Sequence, residues 1–311
     1  MDDGSANLRA EADAAANEAA REARADVYEQ GKAKSASKKK KATRKKKPVP
    51  KSKAKKNPDA WSNFTVQVWL TDLNATEFGI FRRQRNRAKS RQFTSDMDIF
   101  AEVTENGERT GLLGYREAVW KKNEGMDRRL IFKMFTDKLN WRATMDLMVG
   151  RSLQLTMGAR GLPVTAYSIN TNDDDYMIYV ERSANKWMFM PEHFSFFLMS
   201  ESGKPEFFRL KRAFINIGGD YTLYDQNNEV VGYIDGKIMS IAGRWHGGVR
   251  AEHPQRKKLL TVLKLFGGMI VFNGQSRRHM RRLYKDVLAG KIEPKLERQE
   301  GDLYMNPRRV R

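Results

Sequence analysis

The residues of this sequence with the clearest chemistry are its cations, and they are clustered. From Lys32 to Lys56 the chain carries thirteen lysines and Arg44 with no acid among them. The densest runs, Lys38, Lys39, Lys40 and Lys41 followed by Arg44, Lys45, Lys46 and Lys47, can track a line of phosphates and displace its counterions. That gives sequence-independent, salt-sensitive affinity. The same runs have the form of a nuclear import signal or a polybasic membrane anchor. A second cluster, Arg82, Arg83, Arg85, Arg87, Lys89 and Arg91, lies between Phe81 and Phe93, again without an acid. The planar fork of arginine suits phosphates and base edges, and short arginine-rich segments can fold on RNA or DNA. It has the look of a bZIP basic region, but no leucine heptads follow, so the expectation is an exposed loop inserted in the folded body. A third cluster, Arg277, Arg278, Arg281 and Arg282, alternates at helical spacing with Met280, Leu283, Tyr284, Val287 and Leu288. Such a helix either lies on an anionic membrane or docks its apolar stripe on the protein, and the modest stripe favours docking.

Other reactive side chains form weaker patterns. Asn172-Asp173-Asp174-Asp175 offers clustered oxygens but lacks the rest of a calcium loop, and reads as an acidic turn. His193, His246, His253 and His279 show no metal-ligand spacing. Trp187, Phe189, Phe194, Phe196 and Phe197 could stack bases, although their alternation points first to core packing. There is no P-loop, dinucleotide fingerprint, nucleophile elbow or HExxH. No catalytic residue, metal or cofactor is assigned, and the chain is read as non-catalytic.

Composition narrows the partner. The net charge is +20 over 311 residues, and the arm accounts for 14 of it, leaving 20 − 14 = +6 for everything else. An anionic partner is expected, either nucleic acid or an acidic lipid surface. Absence of cysteine removes disulfides, thiolate metal sites and S-acylation, and fits a reducing compartment. The start at Met1-Asp2-Asp3-Gly4 lacks the features of a secretory signal. The longest apolar run, Leu259 to Phe272, is interrupted by Lys264 and is shorter than the roughly 20 residues of a spanning helix. No transmembrane segment is expected, and the place of action is intracellular: cytoplasmic, nucleoid or nuclear, or peripheral at a membrane.

These clusters must be carried by an organised chain. Residues 1–31 are Ala-rich and mixed in charge, which predicts a marginal, solvated helix. Residues 32–60 read as a disordered arm, with Pro48 and Pro50 opposing helix. From Trp61 the pattern turns β-rich, with strands expected at Met97 to Val103, Leu130 to Phe135, Leu153 to Met157, Val164 to Ile169, Tyr176 to Glu181, Trp187 to Met190 and Phe194 to Met199. An antiparallel meander follows: Arg209 to Ile217, Asp220 to Asp225, Glu229 to Ile234 and Lys237 to Ile241. Its turns fall at Gly218-Gly219, Gln226-Asn227-Asn228 and Asp235-Gly236. Leu259 to Phe272 is apolar on every side and predicts a buried helix near 256–273. A separate basic amphipathic helix over 276–291 and a tail over 292–311 complete the chain.

The meander from Phe214 to Ile241 carries a resemblance. Asp220-Tyr221-Thr222-Leu223-Tyr224-Asp225, a turn, then Val230-Val231 and Gly236-Lys237, resembles the recurring strand pattern of the tubby C-terminal superfamily. That superfamily includes the LURP-one-related proteins and phospholipid scramblases. The resemblance implies a closed antiparallel barrel of about twelve strands over 61–275, threaded by one hydrophobic C-terminal helix, here Leu259 to Phe272. A barrel leaves no exposed edges, and its lumen needs an apolar filling. The scramblase cysteine cluster and a calcium loop are missing, and no phosphoinositide-binding position transfers residue by residue. The implied role is binding of anionic phospholipid headgroups through basic segments. The alternative is a nucleic-acid-binding protein, nucleoid- or RNA-associated, that uses the lysine arm and the arginine loop.

Overall fold

The computed structural model describes residues 60–69, 92–94, 96–173, 176–184, 191–213, 219–236, 243–295 and 300, all within one compact unit, Lys55–Arg311. The N-terminal helix, the lysine arm, the arginine cluster at 82–91 and the expected strands Trp187 to Met190 and Lys237 to Ile241 lie outside the described residues.

Twelve strands close into one antiparallel barrel: β1 (Trp61–Val68), β2 (Met97–Glu105), β3 (Glu108–Arg116), β4 (Ile131–Thr136), β5 (Trp141–Leu147), β6 (Ala166–Thr171), β7 (Ile178–Arg182), β8 (His193–Met199), β9 (Pro205–Arg212), β10 (Tyr221–Tyr224), β11 (Val230–Gly236) and β12 (Arg244–Arg250). Each strand pairs with its neighbours in sequence, and β1 joins β12 through a register running from Trp61↔Arg250 to Gln67↔Arg244. Short helices α1 (Glu117–Lys121) and α2 (Val149–Gly158) decorate the connections, and α3 (Arg256–Leu288) closes the chain.

The barrel is filled by α3. Leu259, Val262, Leu263, Leu265, Phe266 and Met269 are all buried, against inward-facing residues such as Val66, Phe100, Leu113, Phe132, Met145, Phe194 and Leu223. The Phe266 ring meets Phe194 and Tyr221 edge-on, at 4.8 and 5.1 Å between centroids. Phe272 contacts Phe100, Tyr115 and Phe132. Gly268 makes this approach possible, because a Cβ there would stand 2.8 Å from Leu113 Cδ1. The helix that was apolar on every side in sequence is thus surrounded by sheet, as a uniformly apolar helix must be.

Four expectations need correction. Leu153 to Met157 is part of α2 and not a strand, since Val149, Ser152, Leu153 and Thr156 are its buried residues, at helical spacing. Asp235-Gly236 is not a turn: β11 continues through it, pairing Asp235↔His246 and Gly236↔Trp245. The two C-terminal helices are one helix of 33 residues. It runs unbroken through Asn273 and Gly274. Strands β3, β5 and β12 were also unforeseen.

Candidate polyanion-binding site

A buried polar network fixes where α3 leaves the barrel. Arg182 and Glu192 are 5% exposed each and form an ion pair through Arg182 Nε. The guanidinium also donates to the Pro163 carbonyl at 2.8 Å. Glu192 accepts from Tyr221 Oη at 2.8 Å and from Asn273 Nδ2 of α3 at 3.1 Å. Burial alone would raise the Glu192 pKa, but the charge of Arg182 and the three hydrogen-bond donors outweigh it and hold the carboxyl below its ordinary value. The carboxylate therefore ties helix to wall and sets the depth and rotation of α3.

Beyond Asn273 the helix turns amphipathic. Ser276, His279, Met280 and Leu283 are buried, and Tyr284 and Val287 pack on the same core. The stripe is docked on the protein, α2 included. This leaves Arg278, Arg281, Arg282 and Lys285 exposed and Arg277 half-buried. Among the described residues no carboxylate lies within 4.0 Å of any of the four arginines. Arg277 and Arg281, and Arg278 and Arg282, are four residues apart, so like charges face each other along the helix at a cost to its stability.

A further cation joins the ridge from the connection before β4. Arg128 lies over the Trp120 ring, 4.3 Å from its centroid, and Trp120 Nε1 donates to Gln275 Oε1 of α3 at 3.2 Å. Burial, and then the charge of Arg282, push the Arg128 guanidinium below its ordinary pKa. Arg277 is lowered too, by burial first and then by Arg182. Beneath them His279 stacks edge-on against Trp120 at 5.8 Å. Burial first, then Arg128, push its pKa down to about 4, so the imidazole is neutral and adds nothing to the positive field of the arginines and Lys285. Concentrated guanidinium groups with no carboxylate in contact among the described residues form a surface suited to several phosphate oxygens at once.

Of the sequence-derived site residues, the structure therefore brings together Arg277, Arg278, Arg281 and Arg282. Lys38, Lys39, Lys40, Lys41, Arg44, Lys45, Lys46, Lys47, Arg82, Arg83, Arg85, Arg87, Lys89 and Arg91 lie outside the described residues. Arg128 was missed, because it sits in no cluster and meets Arg282 only through the fold. Of the aromatic patch, Phe194 and Phe196 are core, whereas Phe197 is 43% exposed on the outer wall. By length and composition α3 could cross a membrane, and 56% of its most apolar window is buried inside the protein. Comparison of the chain with protein-family models, with curated proteins and with solved structures finds no match.

Proposed function

We propose that this protein is a non-catalytic binding module that attaches to anionic phospholipid headgroups through the arginine ridge of α3, with the lysine arm and the arginine-rich segment adding charge. The observation that carries this reading is the set Arg277, Arg278, Arg281 and Arg282 with no carboxylate within 4.0 Å among the described residues, on a helix locked by Glu192 and Asn273. Placing like charges at i and i+4 costs stability, and an external polyanion recovers it. Two exposed apolar residues favour a lipid surface over nucleic acid. Val271, 40% exposed, is two turns before Arg278, and Leu288, 62% exposed, is two turns after Arg281. Both lie on the cationic face, which suits the boundary between headgroups and acyl chains. The closed barrel with its threaded helix also supports grouping the chain with tubby-like barrels.

The test is co-sedimentation of the full chain with vesicles containing phosphatidylserine or only phosphatidylcholine, beside a gel-shift assay with duplex DNA and with RNA. Each basic residue near an anionic surface contributes about 1 kcal/mol, so replacing Arg278, Arg281 and Arg282 with serine should weaken partitioning by roughly 100-fold. Only the anionic vesicles should bind. Unchanged partitioning of the triple variant, or tight oligonucleotide binding with no vesicle binding, overturns the proposal.

A further inference from the structure

A second site lies on the outer wall of the barrel, apart from the ridge. Strands β4, β5 and β6 form the floor of a cavity of about 540 Å³. Their register sets its polar side chains in two rungs: Lys133↔Thr144↔Asn170, and Ile131↔Asp146↔Ser168. The inward faces of the same strands carry Phe132, Met134, Met145, Tyr167 and Ile169, which belong to the core, so these polar groups point the other way. The volume falls within the range of small-molecule sites, but its lining is polar.

Among the described residues, not all charges of this lining have a partner in contact. Arg116 Nε meets Asp96 at 2.8 Å, and Arg129 meets Asp146 Oδ2. Glu300 is held at the start of α2 by the Gly150 and Arg151 amides. Lys133 is different. It is 7% exposed, yet its Nζ donates only to the Gln92 carbonyl at 3.0 Å and Gln92 Oε1 at 2.9 Å. Among the described residues no carboxylate stands within 4.0 Å of it. An ammonium has three donors, so one N–H has no acceptor among the described residues, and Asp96 and Asp146 act on the charge only from beyond 4.0 Å. On the neighbouring strands of the same floor the situation is reversed, because Asp146 Oδ1 and Asn170 Oδ1 are buried acceptors with no donor among the described residues. Asp146 is the diagonal neighbour of Lys133, about 7 to 8 Å away between Cβ atoms on a sheet, and Asn170 is two strands away, about 10 Å.

Most buried polar groups that serve only the fold are satisfied by one another or by water. Here a buried cation with no carboxylate in contact among the described residues and two buried oxygens without donors belong to side chains that line the same cavity. A ligand that completes both sides carries one negative group and one donor group, and a net-neutral ligand preserves the balance of the paired side chains. We propose that this cavity binds a small zwitterion of the amino-acid class, its carboxylate on the Lys133 ammonium and its ammonium against Asp146 Oδ1 and Asn170 Oδ1.

Isothermal titration calorimetry and thermal unfolding of the full chain with each of the twenty amino acids test this. At least one should bind more tightly than roughly 10 mM and raise the melting temperature. Its amide, which keeps only the positive charge, and its deaminated acid, which keeps only the negative one, should each bind about 10-fold more weakly or worse. Lys133→Met removes the buried charge. The variant should unfold at the same or a higher temperature than the parent without ligand, and lose the response to the amino acid. Asn170→Ala should weaken binding about 10-fold and serves if Lys133→Met does not fold. A double variant of Arg278 and Arg282 to serine should bind as the parent does, which separates this site from the ridge. The proposal is overturned if no amino acid binds, if inorganic phosphate or the deaminated acid binds as tightly as the zwitterion, or if Lys133→Met lowers stability and leaves the ligand response intact.

Discussion

Replacement of Phe266 by alanine probes the feature on which everything else is mounted, the filling of the barrel by α3. The side chain is fully buried and contributes two edge-on aromatic contacts, to Phe194 and Tyr221. Truncating a buried phenylalanine costs about 3 to 5 kcal/mol, through lost transfer energy and the cavity left behind. The cost rises when the surroundings cannot collapse. A ring of twelve hydrogen-bonded strands cannot contract around a missing side chain without breaking its register, so the upper end, about 5 kcal/mol, is expected. A typical domain has about 5 to 15 kcal/mol of stability, so the variant should be folded but close to its margin. Urea unfolding followed by tryptophan fluorescence measures this, with the slope of free energy against urea unchanged. Phe197→Ala is the matched control: it is the same truncation at a residue 43% exposed on the outer wall, and should cost less than about 1 kcal/mol. Equal losses for the two variants, or a loss below about 1.5 kcal/mol for Phe266→Ala, would refute the lumen-filling role of α3.

Three further outcomes follow from the same geometry. Glu192→Gln leaves the Arg182 guanidinium buried without its partner and should cost about 3 kcal/mol or more in denaturant titration, while Lys121→Gln, on an exposed pair, should change little. Glu300→Ala removes the carboxylate that accepts from the Gly150 and Arg151 amides at the start of α2, where Met148 offers no side-chain cap, and should cost about 1 kcal/mol. His279 has its pKa lowered from 6.5 to about 4, so the unfolded chain takes up its proton first as pH falls, and stability is lost progressively between those values, by up to about 3 kcal/mol. Asp146, raised to about 6 by burial, acts in the opposite sense: stability is present below 3.8 and is lost as pH rises through 6. The readout is therefore the difference between parent and His279→Phe, which should diverge below pH 6.5 and would show no divergence if His279 were solvated.

Much of the architecture is written in local pattern. The apolar girth of Leu259 to Phe272 requires an enclosure and the turn residues of 209–234 require an antiparallel meander, whereas closure into a barrel of about twelve strands is implied by the tubby-like resemblance and not by pattern alone. Asn106-Gly107, with φ of 52° and 84°, is the tight reversal that joins β2 to β3, a signal present in the sequence and passed over. α2 was misread because Leu153, Leu155 and Met157 alternate like a strand, whereas the buried set Val149, Ser152, Leu153 and Thr156 has the helical period. β12 has two glycines and arginine at both ends, and only its pairing with β1 and β11 makes it a strand.

The clustering of arginines at 277–282 is a property of the sequence alone, since residues three to five apart on a helix stay close whatever the fold. The lack of a carboxylate in contact with them among the described residues is not, because it depends on which acids the barrel brings near, and Arg128 joins them through Trp120 and Gln275. The same holds more strongly for Lys133, Asp146 and Asn170. They lie on three strands, and nothing in their local spacing relates them until the β4–β5–β6 register places all three side chains along one cavity. Local sequence determines which segments seek burial and where charge is dense, because those properties act over a few residues. Tertiary structure decides which charges remain unanswered, because pairing is a matter of distance in space.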